Sequence, residues 1–199
     1  PYGNKKNIKI CFFFDKINLF CDTLQERDYS IPPRRNFMEK IIHPIPPLYD
    51  GASKILILGS FPSVKSREGL FFYHHPQNRF WKVLAAVLGA PVPASIEEKR
   101  QFLIGSHVAV WDVIASCTIT GSSDSSIRDV TPNDLSVILD HAEIRQIFCN
   151  GTTSYNYYRK YQEPLTGISA VRLPSTSPAN AAWSLPRLEE AWSAILPFL

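Results

Sequence analysis

The stretch KILILGS, residues 54–60, decides the fold. It is a short apolar run rich in branched side chains, which is typical of a strand buried on both faces of a parallel sheet. Further strands are predicted at HVAVWDV (107–113), RQIFCNG (145–151) and SAVRLPS (169–175). Because helical patterns separate these strands, the sequence predicts an α/β fold, a three-layer α/β/α sandwich with a central, mostly parallel four-stranded sheet.

Five segments between and after these strands follow helical patterns. Helices are predicted over residues 78–89, 95–105, 131–142, 153–161 and 185–199. Gly89 is expected to end the first helix, and Ser95 and Glu98 have the spacing of a capping box at the start of the second. Thr131 is expected to cap the third helix, with Pro132 in its first turn.

Length and charge predict one folded domain with an extension before it. The chain has 199 residues, of which 45% are hydrophobic and 12% aromatic, as in globular proteins. Residues 1–37 carry seven Lys/Arg and four Asp/Glu, whereas residues 38–199 carry fourteen of each. We expect 1–37 to be an N-terminal extension outside the fold and 38–199 to form the domain, whose anion affinity must come from a local patch.

Metal, cofactor and membrane sites have little support in the sequence. The four cysteines are far apart and show no CxxC pairing, so reduced thiols are expected. GxxxxGK[ST] and GxGxxG are absent, which disfavours nucleotide hydrolysis and dinucleotide binding. No apolar run approaches the ~20 residues of a membrane span. We therefore expect a cytoplasmic monomer, nucleoid-associated in a bacterium, that needs no metal or cofactor.

The carboxyl ends of parallel strands are where such sheets bind ligands. The segments expected there are 59–63, 112–125, 149–152 and 173–178. The last contains LPSTSP, a rigid loop rich in small donors that suits backbone phosphates or a narrow groove, although a plain proline turn is the alternative. Asp112 is read either as a pocket residue or as a helix cap, and Asp124 is expected to be solvated.

Three motifs follow one another in this order: GSFPS after the first strand, HPQNRFWKVL at the first helix and LPSTSPANA after the last strand. The set resembles the uracil-DNA glycosylase superfamily, whose motifs have the forms G-x-[DN]-P and [HNM]-P-S, and it is most similar to the hypoxanthine-DNA glycosylase branch. Phe61 occupies the position where the superfamily places a catalytic Asp or Asn. The resemblance implies that the amide of HPQN, Asn78, carries the catalysis by holding a water molecule.

The resemblance implies a monofunctional DNA glycosylase that acts on double-stranded DNA containing a damaged base. Such an enzyme would flip out a deaminated base, here hypoxanthine from deoxyinosine, and remove it by hydrolysis to leave an abasic site. Two alternatives stay open, a mismatch-specific uracil/thymine glycosylase and a non-catalytic nucleic-acid-binding module of the same fold. Residues 61–82 carry four cations against Glu68, a local patch of +3 that agrees with a DNA partner.

The expected site residues fall into two groups. The base pocket is expected to be formed by Gly59, Ser60, Phe61, Pro62, Phe72, Tyr73 and Ser125. Contacts with DNA are expected from Ser63, Lys65, Arg79, Pro174, Ser175, Thr176, Ser177 and Pro178. Aromatic rings among the first group would stack on the flipped base.

Overall fold

The computed structural model describes residues 40–199, and the predicted extension over residues 1–37 lies outside that range. The strands are β1 Lys40–Ile42, β2 Ile55–Gly59, β3 Val108–Asp112, β4 Ile114–Thr118, β5 Arg128–Pro132, β6 Gln146–Asn150 and β7 Val171–Leu173. The helices are α1 Val64–Glu68, α2 Phe80–Val87, α3 Ile96–Gly105, α4 Ser136–Leu139, α5 Thr152–Tyr161, α6 Glu163–Thr166 and α7 Leu185–Trp192. No helix in the described range is long and apolar enough to cross a membrane.

The four predicted strands form one parallel sheet in the order β3-β2-β6-β7. All five residues of β2 are buried, as its unbroken apolar run requires when helices cover both faces of a sheet. The register places Gly59, the last residue of β2, opposite Asp112, the last residue of β3. The predicted α/β/α architecture is therefore confirmed.

A second sheet, antiparallel and three-stranded, has the order β1-β4-β5 and was not predicted. Only Val113 separates β3 from β4, so the chain passes directly from the parallel sheet into the antiparallel one. Beyond the end of β1, the His43 N–H donates to the Ala115 carbonyl at 2.8 Å. This bond brings His43 to the carboxyl end of β3.

The helix predictions are mostly confirmed, with one error. The Ser95–Glu98 capping box is present, and Gly89 follows α2 with a φ of 64°. Thr131 and Pro132, however, belong to β5 and not to a helix start, because β5 pairs with β4 there. The short α4 begins only at Ser136.

The predicted closing helix is divided into two parts. Helix α7 ends at Trp192, and a 3-10 segment, Ser193–Phe198, continues to the end of the chain with Pro197 inside it. Proline lacks the N–H that would continue the α-helical bonding and its ring disfavours a longer α-helix, and short 3-10 segments are common at the C-terminal ends of α-helices.

The two serines that precede α3 and α7 allow a test of helix capping. Ser95→Ala removes the acceptor for the Glu98 N–H, and we expect it to lower the free energy of unfolding by about 1 kcal/mol. Ser184 precedes α7 without a side-chain capping bond, so Ser184→Ala is the matched control. Urea denaturation of both variants measures the difference, and equal losses would contradict the assigned cap.

Candidate active site

A cleft of about 1120 Å³ opens at the carboxyl edge of the parallel sheet. Its walls come from residues 59–63, 122–125, 150–152 and 171–180, together with single residues from other segments. Each of the four strand-end segments predicted to meet here contributes to the wall. The prediction that these segments meet at this edge is therefore confirmed, while the ligand site and the roles assigned to individual residues stay predictions.

Asn78 lines the cleft at the end of the HPQN turn. Its N–H donates to the His75 carbonyl at 2.8 Å, which closes the turn. Its side-chain oxygen Oδ1 accepts the Phe80 N–H at 3.0 Å, so the amide also caps α2. A carbonyl oxygen has two lone pairs, and the second one on Oδ1 remains for a ligand or water.

The floor of the cleft is a buried carboxylate, Asp112, which is 5% exposed. Its Oδ2 accepts a hydrogen bond from His43 Nε2 at 2.8 Å. Its Oδ1 lies so close to Gly59 that a Cβ at that position would overlap it. The absence of a side chain at Gly59 is therefore what allows this carboxylate to reach the floor.

Tyr73 brings a hydroxyl to the same floor. Its backbone is left-handed, with a φ of 49°, and its ring stacks on Phe80 with centroids 3.8 Å apart. Within residues 40–199 the buried hydroxyl makes no hydrogen bond of ordinary length and angle, and the Asn150 side chain lies near it. Burial, followed by the negative charge of Asp112, raises the pKa of Tyr73, and the Asn150 side chain partly offsets that shift.

The aromatic rings expected to stack on a base are largely covered. Phe61 and Phe72 line the cleft but are only 8% and 3% exposed. Phe61 packs edge-on against His43, with centroids 5.8 Å apart, and the Arg67 guanidinium lies 5.7 Å from its ring centroid. Tyr73, the third candidate, also lines the cleft, but its ring face packs on Phe80 and its hydroxyl is buried.

The pocket serines face a second carboxylate. Ser60 Oγ donates to Asp124 Oδ1 at 3.0 Å, and both residues line the cleft. Desolvation by the cleft wall raises the pKa of the Asp124 carboxyl, and the Ser60 hydroxyl partly offsets that shift. Ser125 lines the cleft too, with its hydroxyl bonded to that of Ser123 at 3.0 Å. Asp124 is exposed to solvent, as expected, and also lines the cleft.

Arg79 holds the loop that follows β7. Its guanidinium donates to the carbonyl oxygens of Thr176 (3.4 Å), Ser177 (2.8 Å), Asn180 (3.0 Å) and Trp183. Its backbone N–H donates to the Thr176 carbonyl as well, at 3.1 Å. The guanidinium is thus directed at the protein's own backbone, and the predicted contact of Arg79 with DNA stays a prediction.

Most of the other predicted DNA contacts line the cleft. These are Ser63, Pro174, Ser175, Thr176, Ser177 and Pro178. Lys65 does not line it and forms an exposed ion pair with Glu68 at 2.8 Å. Arg67 donates to the carbonyls of Pro62 and Gly121, so the predicted basic patch is partly occupied by contacts within the protein.

The sequence analysis assigned no role to two of the lining residues, Asn150 and Arg172. Asn150 ends β6 and exchanges two hydrogen bonds of 3.0 Å with Thr176. Arg172 is an exposed cation on the cleft wall. A polar residue that ends an apolar strand was the available signal for Asn150, as it was for Asp112. Nothing local in the sequence connects His43 with a carboxylate 69 residues away.

Within the described range, no group of three or more His, Cys, Asp and Glu is arranged to hold a metal ion. Cys11 and Cys21 lie outside that range. The cleft instead combines an amide, buried aromatic rings, a carboxylate and a hydroxyl. The fold and cleft together define an α/β/α protein with a polar-lined cleft at the carboxyl edge of its sheet.

Comparison with known proteins identifies the family. The model of the Uracil DNA glycosylase superfamily matches residues 46–196, and the chain belongs to this superfamily of DNA glycosylases. The hypoxanthine DNA glycosylase of Methanosarcina acetivorans is 33% identical over 155 residues, 75% of this chain and 94% of that protein. The protein of the same name from Methanosarcina barkeri is 30% identical over 153 residues, 74% of this chain and 93% of its own.

A solved structure agrees with this assignment. The solution NMR structure of a uracil DNA glycosylase candidate from Methanosarcina acetivorans superimposes with a TM-score of 0.67 at 32% identity. The match covers 78% of this chain and 96% of the other. The predicted family resemblance is therefore confirmed.

Substitution of Gly59 tests the floor of the cleft. In Gly59→Ala the new methyl group displaces the Asp112 carboxylate, which cannot move freely because His43 holds it. We expect base release to fall by ~100-fold, the effect of displacing a site group by about 1 Å. Gly105→Ala is the control, since a Cβ there meets no atom within 4 Å. Wild-type rates in Gly59→Ala would contradict the assigned contact.

Arg79→Lys tests whether the Arg79 side chain stabilises the loop after β7 or is free to contact DNA. Lysine keeps the charge but cannot donate to four carbonyls at once, so we expect a loss of about 2–4 kcal/mol of unfolding free energy. Arg145 is exposed and its side chain makes one long bond, at 3.4 Å to the Leu199 carbonyl, so Arg145→Lys is the matched control. Chemical denaturation provides the measurement. Wild-type stability in Arg79→Lys would favour a free guanidinium instead.

Proposed function

We propose that this protein is a monofunctional DNA glycosylase that removes hypoxanthine from deoxyinosine in double-stranded DNA. The observation that carries the proposal is the Asn78 amide, which lines the strand-edge cleft and keeps an acceptor position for water. Membership of the superfamily supports glycosidic-bond hydrolysis. The names of the two Methanosarcina relatives support hypoxanthine as the released base.

The base must leave the duplex to reach this cleft. Flipping costs a few kcal/mol of unstacking, and less when the base is mispaired, as hypoxanthine opposite thymine is. The loop 174–178 forms one wall of the cleft, and Arg79 and Asn150 fix its backbone. A loop that is rigid before binding loses little entropy when it presses against DNA and fills the vacated space.

Asn78 acts by holding the attacking water. An amide has no accessible basic pKa, so it is not a general base, but its oxygen accepts a hydrogen bond from water and fixes the position of that water. This is sufficient when the bond to the base is largely broken before water attacks. The role of Asn78 in capping α2 fixes the amide itself, because Phe80 N–H holds Oδ1 in place.

The charge of the cleft suits the same reaction. Breaking the N-glycosidic bond places positive charge on the sugar, which negative charge in a poorly hydrated site stabilises. Asp112 contributes a carboxylate to the lining of the cleft. Arg172 is exposed on the wall, and we propose that it contacts a backbone phosphate. We propose that the protein acts as a monomer without metal or cofactor.

Replacing Asn78 tests this mechanism. In Asn78→Ala the water loses its acceptor, and we expect single-turnover release of hypoxanthine to fall at least ~100-fold while affinity for deoxyinosine DNA stays within a few-fold. Gln77→Ala removes an exposed neighbouring amide and is the control. Loss of the α2 cap costs about 1 kcal/mol, so rates are measured well below the melting temperature. Near-normal release from Asn78→Ala would contradict the role of the amide.

A further inference from the structure

Three of the four cations between residues 61 and 82 are engaged within the protein. Arg67 and Arg79 donate to backbone carbonyls, and Lys65 forms an ion pair with Glu68. Affinity for a DNA backbone depends on cations that reach its phosphates and release their counterions. Most of this patch is therefore not available for DNA, and other cations beside the cleft are better candidates.

A second group of cations lies later in the chain. Between residues 150 and 188 the sequence has four cations, and Glu163 is the only acidic residue. The four cations are Arg159, Lys160, Arg172 and Arg187. Residues 171–180 in this range form part of the cleft wall. An excess of positive charge therefore lies next to the cleft.

Two of these guanidinium groups lie over one tyrosine ring. The Cζ atoms of Arg159 and Arg172 are 5.7 and 5.9 Å from the centroid of the Tyr155 ring. Arg159 follows Tyr155 by one turn of α5, whereas Arg172 belongs to β7, the edge strand of the parallel sheet. The Tyr155 ring is half-buried and packs against the core, so it supports both cations at fixed positions.

Contact with a ring leaves the hydrogen-bond donors of these cations available. A cation–π contact uses the planar face of the guanidinium, and the N–H groups at its edge remain for a bidentate contact with phosphate. The exposed Arg172 side chain forms no hydrogen bond or ion pair with other residues of the range 40–199. Arg159 forms one exposed ion pair, with Glu163 at 3.6 Å, and such pairs are weak.

We propose that Tyr155, Arg159 and Arg172, here called the Tyr155 surface, bind the phosphates of one DNA strand outside the lesion. The inference rests on the proposed function, because that strand belongs to the duplex whose damaged base enters the cleft. Arg172 lines the cleft and Arg159 does not, so the surface leads away from it. A strand carries a phosphate every ~3.4 Å of helix axis and offers one to each arginine.

The Tyr155 surface acts on any duplex, damaged or not. Phosphate contacts fix the position of a protein on DNA but carry no information about the bases. The surface therefore contributes to sequence-independent affinity, while recognition of the lesion stays in the cleft. Its loss weakens the binding of undamaged and damaged DNA alike.

The salt dependence of binding to an undamaged duplex tests the surface without any base release. Each phosphate contact contributes ~0.9 to the slope of log K against log salt concentration, so we expect Arg159→Gln to lower the slope by that amount. Arg159→Lys keeps the charge and most of the slope. Arg100→Gln is the matched control, because Arg100 is exposed, lies 5.2 Å from the Phe71 ring centroid and does not line the cleft. Equal slopes in Arg159→Gln and Arg100→Gln would overturn the proposal.

Neutral phosphates locate the contact on the DNA. Deoxyinosine duplexes carry one methylphosphonate at a time, and the enzyme concentration that gives half-maximal single-turnover release is measured. We expect two sensitive positions on one strand outside the lesion. One loses its effect in Arg159→Gln and the other in Arg172→Gln, because two changes that remove the same contact are not additive. Sensitivity that persists at every position in both variants would overturn the proposal.

Melting curves of the variants separate loss of a DNA contact from loss of the fold. If Arg159→Gln is unfolded, Arg172→Gln provides the same slope test with the same expected change. Failure of the unmodified protein to release hypoxanthine would overturn the proposed function. The salt slope on undamaged DNA does not depend on that release, so the two contradicting results are distinct.

Discussion

The close contact between Gly59 and Asp112 is the constraint on which the site depends. The two residues lie opposite each other at the ends of neighbouring parallel strands, and the missing Cβ of Gly59 leaves room for a carboxylate. The pairing of β1 with β4 delivers His43 to the other side of that carboxylate. The small antiparallel sheet thereby supports the floor of a cleft that the parallel sheet creates.

Two arginines connect the loops around this floor. Arg67 donates to Pro62 and Gly121 and thus joins the loop after β2 to the loop after β4. Arg79 directly follows Asn78 and binds four carbonyls of the loop after β7. Because the planar guanidinium offers several donors at fixed angles, each arginine holds its loops in one arrangement before any ligand arrives. Asn78 and the loop 174–178 are thus held together.

The sequence alone predicted the parallel sheet and the position of the cleft at its carboxyl edge. Buried strands such as β2 carry a strong local signal, because the whole run must be apolar. The antiparallel sheet left no such signal in the sequence. Strand β1 has only three residues, and β5 ends in Pro132, a residue that is common at helix starts and that predicted a helix there. Tertiary pairing with β4 outweighed that local preference.

The chemistry of the site was predictable only in part. Asn78 could be singled out because HPQN is one of the motifs in which the chain resembles the superfamily. The bond from His43 to Asp112 spans 69 residues, and those from Arg79 to its loop span about 100, so neither leaves a local pattern. Arg79 is a basic residue beside the predicted active site, so the sequence alone predicts a contact with DNA. Its hydrogen bonds to the loop after β7 become visible only in the structure.

The most direct test of the account is single-turnover base release from three matched duplexes carrying one deoxyinosine, one deoxyuridine or one G·T mismatch. Alkaline cleavage of the resulting abasic sites reports the release. The account predicts release confined to the deoxyinosine duplex. Release mainly of uracil or thymine would contradict hypoxanthine as the substrate, and no release from any duplex would contradict glycosylase activity and favour a binding module of the same fold.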